Sequence, residues 1–441
     1  MCAAQHFRSA IGKSAHWPAS YLEHGVAAAA RMSDRRGMRA EQPRLHQLGS
    51  VRPIAVALNG TRTMIDRRVF EDLFENSVVS GRAPYRQALD RSEITFGELV
   101  ELSRKADIPY PLFFAPHDHV RAQIATKTDK LLQGVSKETF ALNSRTTVDV
   151  EDVELIVKDL IRKQMLLRKH DPDLEDNRIV GLLKRSRGSA AADAKVLVDA
   201  LGLQHDTLTQ ARTKKRALEI LIERLEAHQV FVSLSVRGFM PQLIEVKFSG
   251  LTIKDKKVPY IFLARGDHGD AQEPEGRQLF TLTLLAVLVA RGIFAPVTYD
   301  GSSPAVGPGR EYDIVGEILM PEQAVRGLAL ATLEDLKASA DRFNVTPSAL
   351  VVRARRLRLV SPAVAASHLN ALGREFAARP PSRAQQPKPV NGVRTYNGRE
   401  FSARMLRALD AGRVSPGDFC RVVCANKIKP HQIRDFREAL G

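Results

Sequence analysis

The thirteen residues Leu279–Arg291, LFTLTLLAVLVAR, decide how the centre of this 441-residue chain folds. They contain no Gly, Pro, Asn or Asp, the residues that most often end a helix. At 3.6 residues per turn, their apolar side chains fall on every side of the helix. The run is also shorter than the roughly 20 apolar residues that a membrane-spanning helix needs. The segment is therefore predicted to be a helix buried on all sides in a folded core.

The composition around this helix is that of an ordinary folded protein, with 44% hydrophobic and 26% charged residues. The length allows two to four domains. Three cysteines make no disulfide framework, which fits a reducing compartment. The first fifty residues are rich in Ala, Arg and His and lack the long apolar region of a secretory signal. We expect a cytoplasmic protein without a membrane contact.

Positive charge is concentrated at the two ends of the chain. Residues 1–53 and 374–441 carry net charges of +5 and +8, out of a total of +16. Basic ends around a nearly neutral centre suit an electrostatic contact with nucleic acid or with an acidic protein. Solvated tails that keep the protein soluble would give the same pattern, so charge alone leaves both interpretations open.

Two segments on either side of the apolar helix carry a resemblance to a known family. Val246–Leu263 is similar to the strand pair, and Glu311–Pro321 to the glutamate-bearing helix ending in Leu-Met-Pro, of ImmA/IrrE-family metallopeptidases fused to an Xre-type N-terminal module. The resemblance covers about residues 80–360. It implies a minimal zincin fold, and in the family a zinc-dependent endopeptidase that cleaves helix-turn-helix repressors.

The helix between these segments lacks the family's zinc-binding motif. Where the family has His-Glu-x-x-His, this chain has Leu284 and Leu288 at the histidine positions and Leu285 at the glutamate position. Two histidines at i and i+4 bind zinc from one helical face, and the glutamate activates the bound water. Only Glu311, at the third-ligand position, is retained. The resemblance therefore supports the fold and argues against the reaction, so we expect no catalytic residues, no zinc and no other cofactor.

The predicted fold class is α+β. A mainly helical N-terminal region precedes a minimal zincin-like domain, which has a small sheet and active-site-type helices and is followed by helical subdomains. The predicted divisions are a basic disordered tail (1–53), a degenerate Xre-type module (54–120), a helical region (121–228), the zincin-like domain (229–325), a helical subdomain (326–378), a Pro-rich linker unable to hold a helix (379–396) and a small basic helical domain (397–441).

A helix-turn-helix spacing follows the zincin-like domain in Leu333–Leu359. Thr346 as N-cap and Pro347 at the first helical position predict the start of a second helix. Its basic residues are candidates for nucleic-acid contact: Arg353, Arg355, Arg356 and Arg358. The alternative is scaffold packing through the apolar residues of the same helix, namely Leu350, Val351, Ala354 and Leu357.

The C-terminal region contains a pattern that suggests a metal site. Cys420 and Cys424 are spaced i and i+4, and His431 lies nearby. A structural zinc ion requires four ligands, and three can be named here at most. We therefore predict a pair of buried thiols.

Three functions remain open from the sequence. The first is a catalytically inactive ImmA/IrrE-like pseudopeptidase that regulates transcription, a phage or mobile element, or a toxin–antitoxin pair by binding a repressor-like protein or DNA. The second is a zinc endopeptidase with a site rebuilt from Glu311, Asp300, His268 or partner residues. The third is a basic nucleic-acid-binding module, whose binding would depend steeply on salt.

Overall fold

The computed structural model describes most of the chain, in two compact units, Met1–Lys127 and Thr128–Gly441. The described residues are 53–75, 77, 83–91, 93–106, 108–132, 140–141, 150–204, 206–236, 238–240, 248–265, 273–298, 309–378 and 387–441. The tail predicted for residues 1–53 lies outside them except for Pro53. The fold class is α+β, as predicted, with helices predominating over two small mixed sheets.

The first unit contains a three-stranded sheet that the sequence analysis did not predict. Asn59 and Gly60 both have positive φ, 48° and 79°, and join two antiparallel strands in a tight turn. The third strand runs parallel to the first. The elements of this unit are β1 (Ile54–Leu58), β2 (Thr61–Ile65), α1 (Arg67–Glu75), α2 (Ala83–Asp90), β3 (Glu93–Thr95), α3 (Phe96–Lys105), a 3₁₀ turn (Tyr110–Phe114) and the greater part of α4 (His117–Leu132), which extends past the unit's last residue, Lys127.

An aromatic cluster forms the core of this first unit. Phe113 lies with its ring centroid 5.0 Å from that of Phe70 and 5.2 Å from that of Phe74, and all three side chains are buried. The Thr95 hydroxyl caps the N-terminus of α3, because it accepts a hydrogen bond from the backbone N–H of Glu98 at 3.2 Å. The helix leads into the Pro-aromatic 3₁₀ turn, which contributes Phe113 to the cluster.

The second unit is built on a five-stranded mixed sheet, whose strands lie in the order β4 (Phe140–Ala141), β8 (Pro296–Thr298), β6 (Gly250–Ile253), β7 (Tyr260–Leu263) and β5 (Phe231–Leu234). Strands β6 and β7 are antiparallel, and β5 pairs parallel to β7. The elements are β4 (Phe140–Ala141), α5 (Val150–His170), α6 (Ala190–Ala200), α7 (Lys214–Ala227), β5 (Phe231–Leu234), β6 (Gly250–Ile253), β7 (Tyr260–Leu263), α8 (Glu275–Arg291), β8 (Pro296–Thr298), α9 (Arg310–Leu319), α10 (Glu322–Arg326), α11 (Leu333–Arg342), α12 (Pro347–Arg356), α13 (Pro362–Ala377), α14 (Pro389–Asn397), α15 (Arg399–Asp410), α16 (Pro416–Asp418) continuing as a π-helical turn (Phe419–Val423), and α17 (Ile433–Glu438).

Helices cover both faces of this sheet, because alternate side chains of its strands enter two different apolar clusters. Ile261 and Leu263 of β7 join the cluster formed with α6–α9 and α11–α13. Tyr260 and Phe262 join the opposite cluster, which contains α5 and the helices after Pro389. The buried helix predicted at 279–291 is confirmed: α8 lies across β6 and β7 with apolar side chains almost wholly excluded from solvent.

Two predicted divisions of this unit were wrong. The linker predicted for 379–396 in fact contains α14, whose Pro389 occupies the first helical position, where its missing N–H costs nothing. The C-terminal helices are also part of the second core rather than a separate domain.

Across the residues given above, no helix combines the length and apolar character that crossing a membrane requires.

Candidate functional site

The positions expected to correspond to the family's zinc motif lie inside the core. Leu284, Leu285 and Leu288 are fully buried. Leu285 packs against β6 where Gly250 leaves room for it: a Cβ on Gly250 would lie 2.7 Å from Leu285 Cδ1. A carboxylate at position 285 would therefore be placed against a strand, without access to solvent.

Glu311, which the resemblance suggests as a ligand position, forms an ion pair with an arginine from α8. Arg291 donates from Nε to Glu311 Oε1 at 3.2 Å and from Nη1 to the backbone oxygen of Leu183 at 3.0 Å. Arg291 follows Leu288 by three residues and Leu284 by seven, so the three share one face of α8. The Glu311 carboxylate therefore lies against the Arg291 guanidinium, at the end of the α8 face on which the family motif would hold zinc.

The four arginines proposed for nucleic-acid contact lie in different environments. Arg353 is 4% exposed; its guanidinium forms an ion pair with Glu317 and donates to the backbone oxygen of Met320 at 3.2 Å. Arg356 pairs with Asp313 at 2.7 Å. Arg358 is exposed and Arg355 is half-buried.

These contacts favour the scaffold interpretation of α12. Leu350 and Val351 are buried in the first apolar cluster, Leu357 packs against it, and Ala354 is also buried. The predicted cap is confirmed, since Thr346 accepts from the N–H of Ala349 at 3.3 Å. Two of the four positive charges are therefore used to fix α12 to α9.

No group of three or more His, Cys, Asp or Glu side chains in the described part of the chain is arranged to hold a metal ion. Asp300 and His268, considered for a rebuilt zinc site, lie outside that part. The prediction of buried thiols is confirmed, because Cys420 and Cys424 are both free and buried while His431 is exposed.

A group of buried charges that the sequence analysis missed lies in the second apolar cluster. Lys163 of α5 is fully buried; its Nζ lies 3.8 Å above the centre of the Tyr396 ring and 3.4 Å from Asp159 Oδ2. The Tyr396 hydroxyl donates to the same Asp159 oxygen at 2.7 Å. Arg162 completes the group, donating to Asp159 Oδ1 and to the backbone oxygen of Val422.

Burial and charge act against each other within this group. Burial lowers the pKa of Lys163 to about 8, although the Asp159 carboxylate partly opposes the change. Burial alone would raise the pKa of Asp159, but the charges of Lys163 and Arg162 outweigh it and hold that pKa below its usual value. Burial raises the pKa of the Tyr396 hydroxyl, which therefore stays protonated as a donor.

A cavity of about 200 Å³ opens beside this polar group. Asp159, Arg162 and Tyr396 form its polar side, Asn397 lies next to them, and Lys427 also lines it. The remaining lining is mainly apolar: Phe239, Met240, Val393, Val423, Cys424 and Ala425, with Gly238.

The backbone along one wall of the cavity is irregular. Phe419–Val423 forms a π-helical turn, a feature often found at functional sites. Two consecutive residues after it, Ala425 and Asn426, have positive φ of 49° and 57°. Such conformations are costly for residues other than glycine and cluster at binding sites. The cavity therefore combines buried charge, free volume and strained backbone.

A signal for the buried lysine is present in the sequence. Leu160 and Leu167 mark the apolar stripe of α5, and Lys163 falls between them on the same helical face. Its partner Tyr396 is 233 residues away, beyond the reach of local pattern analysis.

Comparison of the chain with protein-family models, with curated proteins and with solved structures finds no match.

Proposed function

We propose that this protein is a non-catalytic, ImmA/IrrE-like regulatory protein that acts by binding a repressor-like partner. The observation that carries the proposal is the pairing of Glu311 with Arg291, together with leucines at the motif positions of α8. The chain order of strand pair, buried helix and glutamate-bearing helix is the order that the family resemblance implies. With its ligand positions filled by apolar side chains or paired with a cation, this region favours binding over hydrolysis.

Metal analysis tests the non-catalytic part of the proposal. We expect the full-length protein, purified without chelator and equilibrated with zinc, to carry far less than one zinc ion per chain by elemental analysis. Glu311→Gln is expected to give the same content, because the wild-type carboxylate is already bonded to Arg291. One zinc ion per wild-type chain, lost in Glu311→Gln, would refute the proposal and restore a zinc hydrolase.

Mixing with purified helix-turn-helix repressors from the source genome tests the binding part. We expect co-elution of one repressor with the protein in size-exclusion chromatography, and an unchanged repressor mass after prolonged incubation. Cleavage of the repressor that a chelator prevents would contradict the proposal, as would the absence of any complex across the whole set.

A nucleic-acid-binding function has less support. Arg353 and Arg356 are held in ion pairs with α9, which leaves Arg355 and Arg358 as the more accessible charges of α12. Tight DNA binding that weakens steeply with salt, and is lost in the Arg355→Glu/Arg358→Glu double variant, would favour that function instead.

A further inference from the structure

The cavity beside Tyr396 has the size, charge and lining of a small-ligand site. We propose that it binds a small organic carboxylate, an apolar body of roughly ten or fewer non-hydrogen atoms bearing one negative charge. The proposal does not depend on the regulatory function, because the cavity lies in the second apolar cluster and α8 lies in the first, on the other face of the sheet.

The volume limits the size of the ligand. At about 200 Å³ the cavity is smaller than the roughly 300–1,000 Å³ of sites for drug-sized molecules. It corresponds to six or seven water molecules at about 30 Å³ each. A single ring or a branched chain of about five carbons with one head group fits this space, whereas a nucleotide does not.

The charges select an anionic head group. Arg162 and Lys427 line the cavity, with the ammonium of Lys163 behind the Tyr396 ring, against the single carboxylate of Asp159. Arg162 donates hydrogen bonds from Nε and Nη2 to Asp159 and from Nη1 to the backbone oxygen of Val422. Two of its five N–H donors therefore remain to bind a ligand. Within the described residues, the exposed Lys427 side chain has no ion-pair partner. A cationic ligand would meet net repulsion here, and an anion net attraction.

The apolar residues that line the cavity favour a ligand whose uncharged part is apolar. Phe239, Met240 and Val393 face the free volume and offer it no hydrogen-bonding side-chain group apart from a thioether. Filling such a space with hydrocarbon gains contacts that water cannot make. The ligand is thus anchored by charge at the Arg162 side and held by packing at the Phe239 side.

Three probes of matched size test this selection by titration calorimetry on the full chain at low ionic strength. We expect benzoate to bind with a dissociation constant below about 1 mM, benzyl alcohol to bind at least tenfold more weakly, and benzylamine to give no measurable binding. Absence of benzoate binding, or binding of benzylamine as tight as that of benzoate, would overturn the proposal.

A pair of charge reversals locates the bound anion. Lys427 and Lys429 are both exposed, but only Lys427 lines the cavity. Lys427→Glu is expected to weaken benzoate binding about fivefold or more, and Lys429→Glu less than twofold. Equal effects of the two changes would show that benzoate responds to the overall positive charge of the protein rather than to a local contact, and would contradict binding in the cavity.

Alkylation of Cys424 gives a second readout on the wild-type protein. Cys424 lines the cavity and is buried, so its thiol reacts only when this part of the protein opens. We expect saturating benzoate to slow the reaction of Cys424 with iodoacetamide at least threefold, measured by peptide mass spectrometry, because bound benzoate stabilises the closed form of the cavity. Benzoate binding without protection of Cys424 would place the ligand elsewhere and refute the proposal.

Discussion

The free energy of unfolding of the wild-type protein is expected to fall as the pH rises, because Glu226 becomes ionised. Replacing Glu226 by glutamine is expected to abolish this fall. Glu226 lies near the end of α7, 4% exposed, and its Oε2 accepts the backbone N–H of Glu400 at 3.1 Å in the first turn of α15. The carboxyl group therefore ties the first part of the second unit to its C-terminal helices. Gly398 leaves space for it, since a Cβ there would lie 2.6 Å from Glu226 Oε1.

The magnitude follows from the change in pKa on folding. Burial raises the pKa of Glu226 from 4.5 to about 7, and the backbone N–H of Glu400 only partly opposes this. Because the folded pKa is higher than the unfolded one, the favourable contribution of Glu226 is fully present below pH 4.5 and is lost as the pH rises through 7. At about 1.4 kcal/mol per pH unit, the loss is about 3 kcal/mol.

Urea denaturation at a series of pH values measures this loss. From pH 5 to pH 8, the unfolding free energy of Glu226→Gln should rise by about 2–3 kcal/mol relative to that of the wild type, because the amide remains neutral and still accepts from the Glu400 N–H. Glu223→Gln, at an exposed position on the same helix, is the control and should follow the wild-type curve. Parallel curves for wild type and Glu226→Gln would refute the reasoning.

Two further predictions concern buried contacts, and both are read as unfolding free energies from urea denaturation. Arg353→Ala should cost about 3–5 kcal/mol, because it leaves the buried carboxylate of Glu317 without its cation; a cost below about 1 kcal/mol would contradict a buried pair. Gly392→Ala should cost about 1–3 kcal/mol despite the better helix propensity of alanine, because its Cβ would overlap the Phe239 ring. Gly373→Ala is the matched control, since nothing lies within 4 Å of a Cβ there, and it should stabilise by up to about 1 kcal/mol.

The parts of the fold that were predictable from sequence are those set by local chemistry. The apolar residues of 279–291 have no polar face to expose, so a fully buried helix is the natural outcome. Thr346 and Pro347 likewise form a helix start with few alternatives. The hairpin turn at Asn59-Gly60 is equally predictable from sequence, because this dipeptide is the strongest short-range signal for a hairpin, although it is missing from the predictions above.

The features that could not be predicted depend on contacts between distant parts of the chain. Pro389 is compatible with both a linker and a first helical turn, and packing against β5 decides between them. The cavity forms where α5 meets α14 and the π-helical turn, and local periodicity carries no information about that meeting. The pairing of Glu311 with Arg291 similarly depends on how α8 and α9 pack.

The return of α14 to the edge strand β5 has a consequence for synthesis of the protein in the cell. Val393, which helps cover the second face of the sheet, follows Leu263 at the end of β7 by 130 residues. At about 5–20 residues per second, a ribosome needs roughly 6–26 s to add that stretch. Throughout this time the aromatic face formed by Phe231 and Tyr260 lacks its C-terminal cover. We therefore expect chaperones that bind exposed apolar surface to bind the nascent chain, and a chain truncated before Pro389 to aggregate.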